Sequence, residues 1–99
     1  MMFEATTEVI GASAATESGI ASAMAAGAAA KAPMLLGALP MGNDPASVAF
    51  AAALNARGAT FLAAHGMHAA NRELFSSVQS LNADTIAATE AIRAAMAAL

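Results

Sequence analysis

Two histidines are the residues of this sequence whose spacing is best suited to binding a metal ion. His65 and His68 are three residues apart, so on a helix they share one face. No cysteine is present, no third ligand is evident, and Glu73 follows His68 by five residues, which is poor spacing for the same face. The segment also differs from the His-Glu-x-x-His pattern of zinc proteases. We therefore predict no metal site, with one histidine in an interface and the other on the surface.

Nucleophilic and acid–base catalysis are not indicated either. An active serine needs a neighbouring base and an oriented third group, and the sequence contains no Gly-x-Ser-x-Gly segment. The seven acidic residues are dispersed, and no glycine-rich phosphate loop is present. We predict no catalytic residue and no cofactor, so the chain is not expected to be an enzyme.

Charge and length exclude further classes of protein. The net charge is −3, and the four cationic residues are isolated, which argues against nucleic-acid binding. Glu4 and Glu8 stand where a cleavable signal peptide would carry positive charge. Uncharged windows such as residues 18–30 are shorter than the roughly 18 residues of a membrane span. We therefore expect neither a cleavable signal peptide nor an integral membrane span.

The segment LPMGNDP at residues 39–45 divides the sequence into two alanine-rich helices. The first is predicted at about 6–31, because Thr6 or Thr7 can cap its start and Pro33 disfavours continuation. A turn is predicted at about 32–44. The second helix is predicted at about 45–96, with Asp44 as its cap and Pro45 in its first turn. The expected fold is all-α: an antiparallel two-helix hairpin, with residues 1–99 as a single domain.

The apolar residues indicate that the hairpin needs a partner. Hydrophobic residues make up 59% of the chain, but most are alanine, which buries little area. Two stripes of large residues recur every seven positions on the second helix: Leu54, Phe61, His68 and Phe75, and Met67, Leu74 and Leu81, with Val78 between. We predict that one stripe faces the first helix and the other a separate chain, which completes a four-helix-type bundle.

Three points have alternative interpretations. Met34, Leu35, Leu36 and Leu39 are expected to fill the closed end of the hairpin, next to the partner. Gly11, Gly19 and Gly27 recur every eight residues, either as tolerated helix glycines or as a groove for another helix. The bundle could also be completed by a second copy, giving a structural homo-oligomer that acts as a scaffold or at a membrane surface.

The order of these features resembles the PE family of mycobacteria and their relatives. The resemblance covers nearly the whole length and includes an alanine-rich first helix followed by ordered landmarks: Leu39, Pro40, Gly42, Asp44, Ser47, Phe50, Gly58, Phe61, His68, Phe75 and the segment from Ile86 to Glu90. Two positions depart from the family pattern. The name-giving Pro-Glu is Thr7-Glu8 here, and Ile86 replaces the tyrosine of a Tyr-x-x-x-Asp/Glu export signal, whereas Glu90 retains its acidic residue.

The resemblance implies a function in secretion and partner binding. PE domains are helical hairpins that pair with PPE proteins, and type VII (ESX) systems export the folded heterodimer to the cell envelope or beyond. A cytosolic chaperone binds the PPE side, and so would reach this chain only through its partner. The residues predicted to contact the partner are large and apolar: Leu35, Leu36, Leu39, Leu54, Phe61, Phe75 and Val78.

Overall fold

The computed structural model describes residues 4–99, which form two long helices packed against each other. Helix α1 spans Thr7–Leu36 and helix α2 spans Pro45–Ala97. Residues 37–44 connect them, and no strand is present between residues 4 and 99. The predicted all-α fold is confirmed, whereas completion of a bundle by a partner chain stays a prediction.

Helix α1 continues beyond its predicted end. The Thr6 carbonyl accepts hydrogen bonds from the N–H groups of Val9 and Ile10, both at 3.1 Å, so α1 starts close to the predicted position. The prediction that α1 ends near residue 31 is wrong, because Pro33 lies inside it. Proline lacks the N–H that would bond to residue 29 and crowds the carbonyl of that residue, but only three residues of α1 follow it. The last turn is also held in place, since the Leu35 backbone packs directly against Gly58 of α2.

Helix α2 begins at Pro45, and Asp44 caps it. The Ser47 N–H donates to Asp44 Oδ2 at 3.0 Å, and the Ser47 hydroxyl donates to Asp44 Oδ1 at 2.8 Å. Both bonds lower the pKa of Asp44 from its ordinary 3.8, and the bond from the Ser47 hydroxyl has the larger effect. The carboxylate therefore satisfies one of the amide groups that a helix start leaves without an intrahelical partner.

The two helices contribute to two compact units. The central unit consists of Ala21–Ala70 and therefore contains the connection between the helices. The terminal unit consists of Met1–Ile20 and Asn71–Leu99, of which residues 4–20 and 71–99 are described. Each unit contains segments of both helices. The assignment of residues 1–99 to one domain stays a prediction.

Small residues, and not large ones, occupy the contact between the helices. The buried residues are alanines, one serine and one glycine: Ala14, Ala21, Ala51, Gly58, Ala69, Ser76 and Ala83. On α2 the less exposed positions from Ala51 onward follow one another at intervals of three or four residues, with a single interval of seven after Ala69: Ala51, Asn55, Gly58, Leu62, His65, Ala69, Ser76, Gln79, Ala83 and Ile86. We call this row the seam. The prediction that a stripe of large residues faces the first helix is wrong, because small side chains allow a closer approach of two helices.

Both helices are long and apolar enough, by length and composition, to cross a membrane. This differs from the expectation based on uncharged windows, because alanine raises the mean hydropathy of windows that still contain a charge. Such helices are weak evidence for a span, since the core helices of soluble proteins and signal sequences meet the same criterion. The absence of an integral span stays a prediction.

Candidate partner-binding surface

Most large apolar side chains of the described chain are exposed to solvent. Phe61 is 56% exposed, Phe75 53% and Leu39 84%. Of the seven residues predicted to contact a partner, Leu36, Leu39, Leu54, Phe61, Phe75 and Val78 are exposed, and Leu35 is half-buried. Exposure of this many large apolar side chains is typical of an interaction site.

Neither of the two predicted stripes on α2 lies in the seam. At 3.6 residues per turn, the row of Leu54, Phe61 and Phe75 lies about 100° around the helix from the row of Met67, Leu74 and Leu81. All six side chains are exposed, as is Val78 between the two rows. We call these seven residues the apolar face. The row of Leu54 and Phe61 lies beside the seam and the row of Met67 lies nearly opposite it, so α1 leaves both rows largely uncovered.

Polar side chains join the two helices within the central unit. The Ala38 N–H donates to Asn55 Oδ1 at 2.7 Å, and Asn55 Nδ2 donates to the Ala38 carbonyl at 3.1 Å. Nε2 of His65 lies 3.1 Å from the carbonyl oxygen of Met24. The carbonyl can only accept, so the Nε2–H tautomer of the imidazole makes this hydrogen bond. The ring of Phe61 stacks on the same imidazole, with the ring centroids 5.7 Å apart. Phe61 is thereby held on the outside of α2.

The terminal unit is joined in the same way. The buried Ser76 hydroxyl donates to the carbonyl of Ala14 at 2.6 Å, and Arg72 forms an ion pair with Glu17 at 3.0 Å. The Ser18 hydroxyl also donates to the Glu73 carboxylate, at 3.0 Å to one oxygen. Within residues 4–99, no buried side-chain nitrogen or oxygen lacks a hydrogen-bond partner. The polar side chains of the seam therefore all have hydrogen-bond partners, and these bonds fix the register of the two helices.

Gly58 has a structural role that the sequence did not reveal, since it stood there only as a landmark of the family resemblance. A Cβ atom at this position would collide with the carbonyl oxygen of Leu35. By contrast, a Cβ atom at Gly11, Gly19 or Gly27 would meet nothing within 4 Å. Within the described chain, then, the close helix approach occurs at Gly58. A groove for a helix of another chain at the three α1 glycines stays a prediction.

The loop end of the hairpin is open. Met34 and Leu39 are more than four-fifths exposed, so the prediction that the Met34–Leu39 cluster fills this end is wrong, and the Asn55 hydrogen bonds close the loop instead. The exposed side chains leave an apolar groove of about 310 Å³, lined by Leu39, Met41, Phe50 and Leu54 among others. The loop end therefore extends the exposed apolar surface of the central unit.

The histidines occupy the two positions expected of them. His65 lies in the seam, whereas His68 is exposed. No group of three or more metal-ligating side chains occurs within residues 4–99. The exposed side chains of this site point to binding through apolar surface.

The residues that depart from the family pattern lie in the terminal unit. Thr7 and Glu8 line a groove of about 290 Å³ together with Ala83, Asp84 and Ala87 of α2. Ile86 is half-buried at the end of the seam, and exposed Glu90 pairs with Arg93 at 2.8 Å. The structure thus brings the N-terminal pair close to the α2 segment that contains Ile86.

Comparison with known proteins identifies a family for this chain. The model of the PE family matches residues 3–93. No curated protein and no solved structure matches the chain. The match includes the whole of α1, the connecting loop and all of α2 up to Arg93. It therefore includes both the apolar face of α2 and the exposed residues at the loop end.

Proposed function

Because the chain belongs to the PE family, we propose that it is a non-catalytic protein that forms a heterodimeric helical bundle with a PPE protein. The observation that carries this proposal is the exposed apolar face of α2. The seam buries alanine, glycine and serine, while the phenylalanines and leucines that would stabilise a bundle remain in solvent. PE proteins are a non-enzymatic helical family, which agrees with a binding role.

The partner would cover the apolar face and the loop end. Full burial of a leucine or phenylalanine side chain contributes about 1.5–3 kcal/mol, and several such residues are about half exposed in this chain. Leu54, Phe61, Phe75 and Val78 are the proposed contacts on α2. Leu35, Leu36 and Leu39 extend the surface at the loop end. This apolar gain would offset the cost of association.

Export follows from the same assignment. PE proteins are generally secreted by type VII systems, and we propose that this chain leaves the cell with its PPE partner, toward the envelope or beyond. Glu90 supplies the acidic residue of the export signal, and Ile86 takes the place of its tyrosine. Ile86 lacks the phenol and its hydrogen-bonding group. The partner's own signal and its chaperone would then contribute more to recognition.

Co-expression tests this proposal. The chain is produced with PPE proteins encoded in neighbouring reading frames, and the complex is isolated through a tag on the PPE protein. We expect a stable one-to-one complex and poor solubility of the chain produced alone. Failure of every such PPE protein to retain the chain, with both proteins soluble, would refute it.

A second candidate function is a structural homo-oligomer. The same exposed face can be covered by a second copy, which would give a symmetric four-helix bundle. Light scattering on the chain produced alone distinguishes the two functions. A monodisperse dimer would favour the homo-oligomer, and co-sedimentation with liposomes would favour a membrane-surface role.

A further inference from the structure

Two grooves meet at Phe61 in the central unit. One, of about 210 Å³, is lined by residues of α1 and α2 that include Met24, Lys31 and His65. The other, of about 380 Å³, includes Leu54 and Arg57. Leu35 and Phe61 line both grooves. A cationic side chain therefore borders each of two adjoining apolar grooves.

Neither cation has an acidic partner within the chain. The ion pairs within residues 4–99 are Arg72–Glu17 and Arg93–Glu90, and residues 1–3 contain no acidic side chain. The central unit contains a single carboxylate, that of Asp44, which binds Ser47. The central unit is thus cationic by one charge, although the whole chain carries −3.

Covering these grooves places a constraint on the partner. An apolar side chain that fills the space beside Phe61 also displaces water from around the charged side chains of Lys31 and Arg57. A cation that loses water without gaining an opposite charge costs free energy, whereas a facing carboxylate compensates for it. Matched charges also accelerate encounter and exclude wrong partners.

We propose that the helix docking at Phe61 carries carboxylates next to its large apolar side chains, and that they pair with Lys31 and Arg57. This inference rests on the proposed function, because the docking helix is taken to belong to the PPE protein. The two cations, 26 positions apart in the sequence but bordering adjoining grooves, then select the partner by charge. The apolar face supplies most of the affinity.

Charge reversal provides the first test. Lys31→Glu and Arg57→Glu are each compared with Arg93→Glu, which changes the net charge equally at an exposed ion pair of the terminal unit. The probe is the PPE protein that co-purifies with the wild-type chain. We expect each reversal in the central unit to raise the dissociation rate at least about tenfold, and Arg93→Glu to change it less than about twofold.

Cross-linking provides the second test and does not depend on the folding of a variant. Lys31 is the only lysine of the chain, so a carbodiimide, which joins an amine and a carboxylate without a spacer, gives an unambiguous product. We expect an amide between Lys31 and an aspartate or glutamate of the PPE protein, identified by mass spectrometry. Arg57→Lys should create a second such link.

The outcomes separate the inference from the function that it assumes. If the wild-type chain forms no complex, the proposed function fails. If the complex forms but the reversals dissociate like Arg93→Glu and Lys31 gives no cross-link to the PPE protein, only the inference fails. Binding to phosphatidylglycerol vesicles that both reversals abolish, with an unchanged PPE complex, would assign the cations to an anionic lipid surface and would also overturn the inference.

Discussion

At Asp44 one carboxylate both ends the connecting loop and starts α2. Its two oxygens accept hydrogen bonds from the N–H and hydroxyl of Ser47, and these bonds lower its pKa below 3.8. A group whose folded-state pKa is lowered stabilises the folded state above its unfolded pKa. This stability is lost as the pH falls through the folded value.

We therefore predict that Asp44→Asn reduces the acid sensitivity of the chain. Asparagine still accepts a hydrogen bond as a helix cap but does not titrate. The difference in melting temperature between pH 7 and pH 3, followed by circular dichroism at 222 nm, should be smaller in the variant. Asp84→Asn, at an exposed position within α2, is the control, and equal pH dependence in wild type and Asp44→Asn would contradict the prediction.

Gly58 gives a second prediction at the residue scale. Gly58→Ala places a methyl group against the Leu35 carbonyl, so we expect a loss of about 1–3 kcal/mol in the free energy of unfolding. Gly66→Ala is the matched control on the same helix, because its methyl group would meet nothing within 4 Å. It should stabilise the chain by up to about 1 kcal/mol. Chemical denaturation measures both, and a stabilised Gly58→Ala would contradict the close approach.

At the scale of the helices, the sequence predicted that two long helices form but not which residues pack between them. The start of α2 followed from Asp44 and Pro45, which are strong local signals. The end of α1 did not, because the packing of Leu35 against Gly58 outweighs the local effect of Pro33. The seam was missed because most of its residues are small or polar, among them Asn55, and periodicity is normally read from large apolar side chains.

The seam makes a prediction for α1. Ala14 is 1% exposed, whereas its neighbour Ala15 is exposed. Ala14→Leu should force the two helices apart and cost about 1–3 kcal/mol in the free energy of unfolding, while Ala15→Leu should change it by less than about 0.5 kcal/mol. Thermal unfolding of both variants measures the difference. Similar melting temperatures would mean that Ala14 does not lie in a tight contact.

At the scale of the whole molecule, the sequence predicted an uncovered apolar surface but not its position. Phe61, Phe75 and the leucines of α2 were expected to form two stripes with different neighbours. Both stripes are exposed instead, because the residues of the seam already occupy the side of α2 that contacts α1. Neither the sequence pattern nor the structure identifies the chain that covers this surface, because exposed apolar residues indicate that a partner binds but not which partner.

The central claim is that this face binds a PPE protein, and Phe61→Asp tests it most directly. Its control is Ala59→Asp, two residues before Phe61 on α2 and therefore about 200° around the helix, where the side chain is also exposed. Each variant is co-expressed with the tagged PPE protein, and the co-purified chain is quantified. We predict that Phe61→Asp abolishes co-purification, because it removes a ring from the apolar contact and places a carboxylate beside Lys31 and Arg57, where it competes with the carboxylates of the partner. Ala59→Asp should retain the complex. An unaltered complex with Phe61→Asp would contradict the claim.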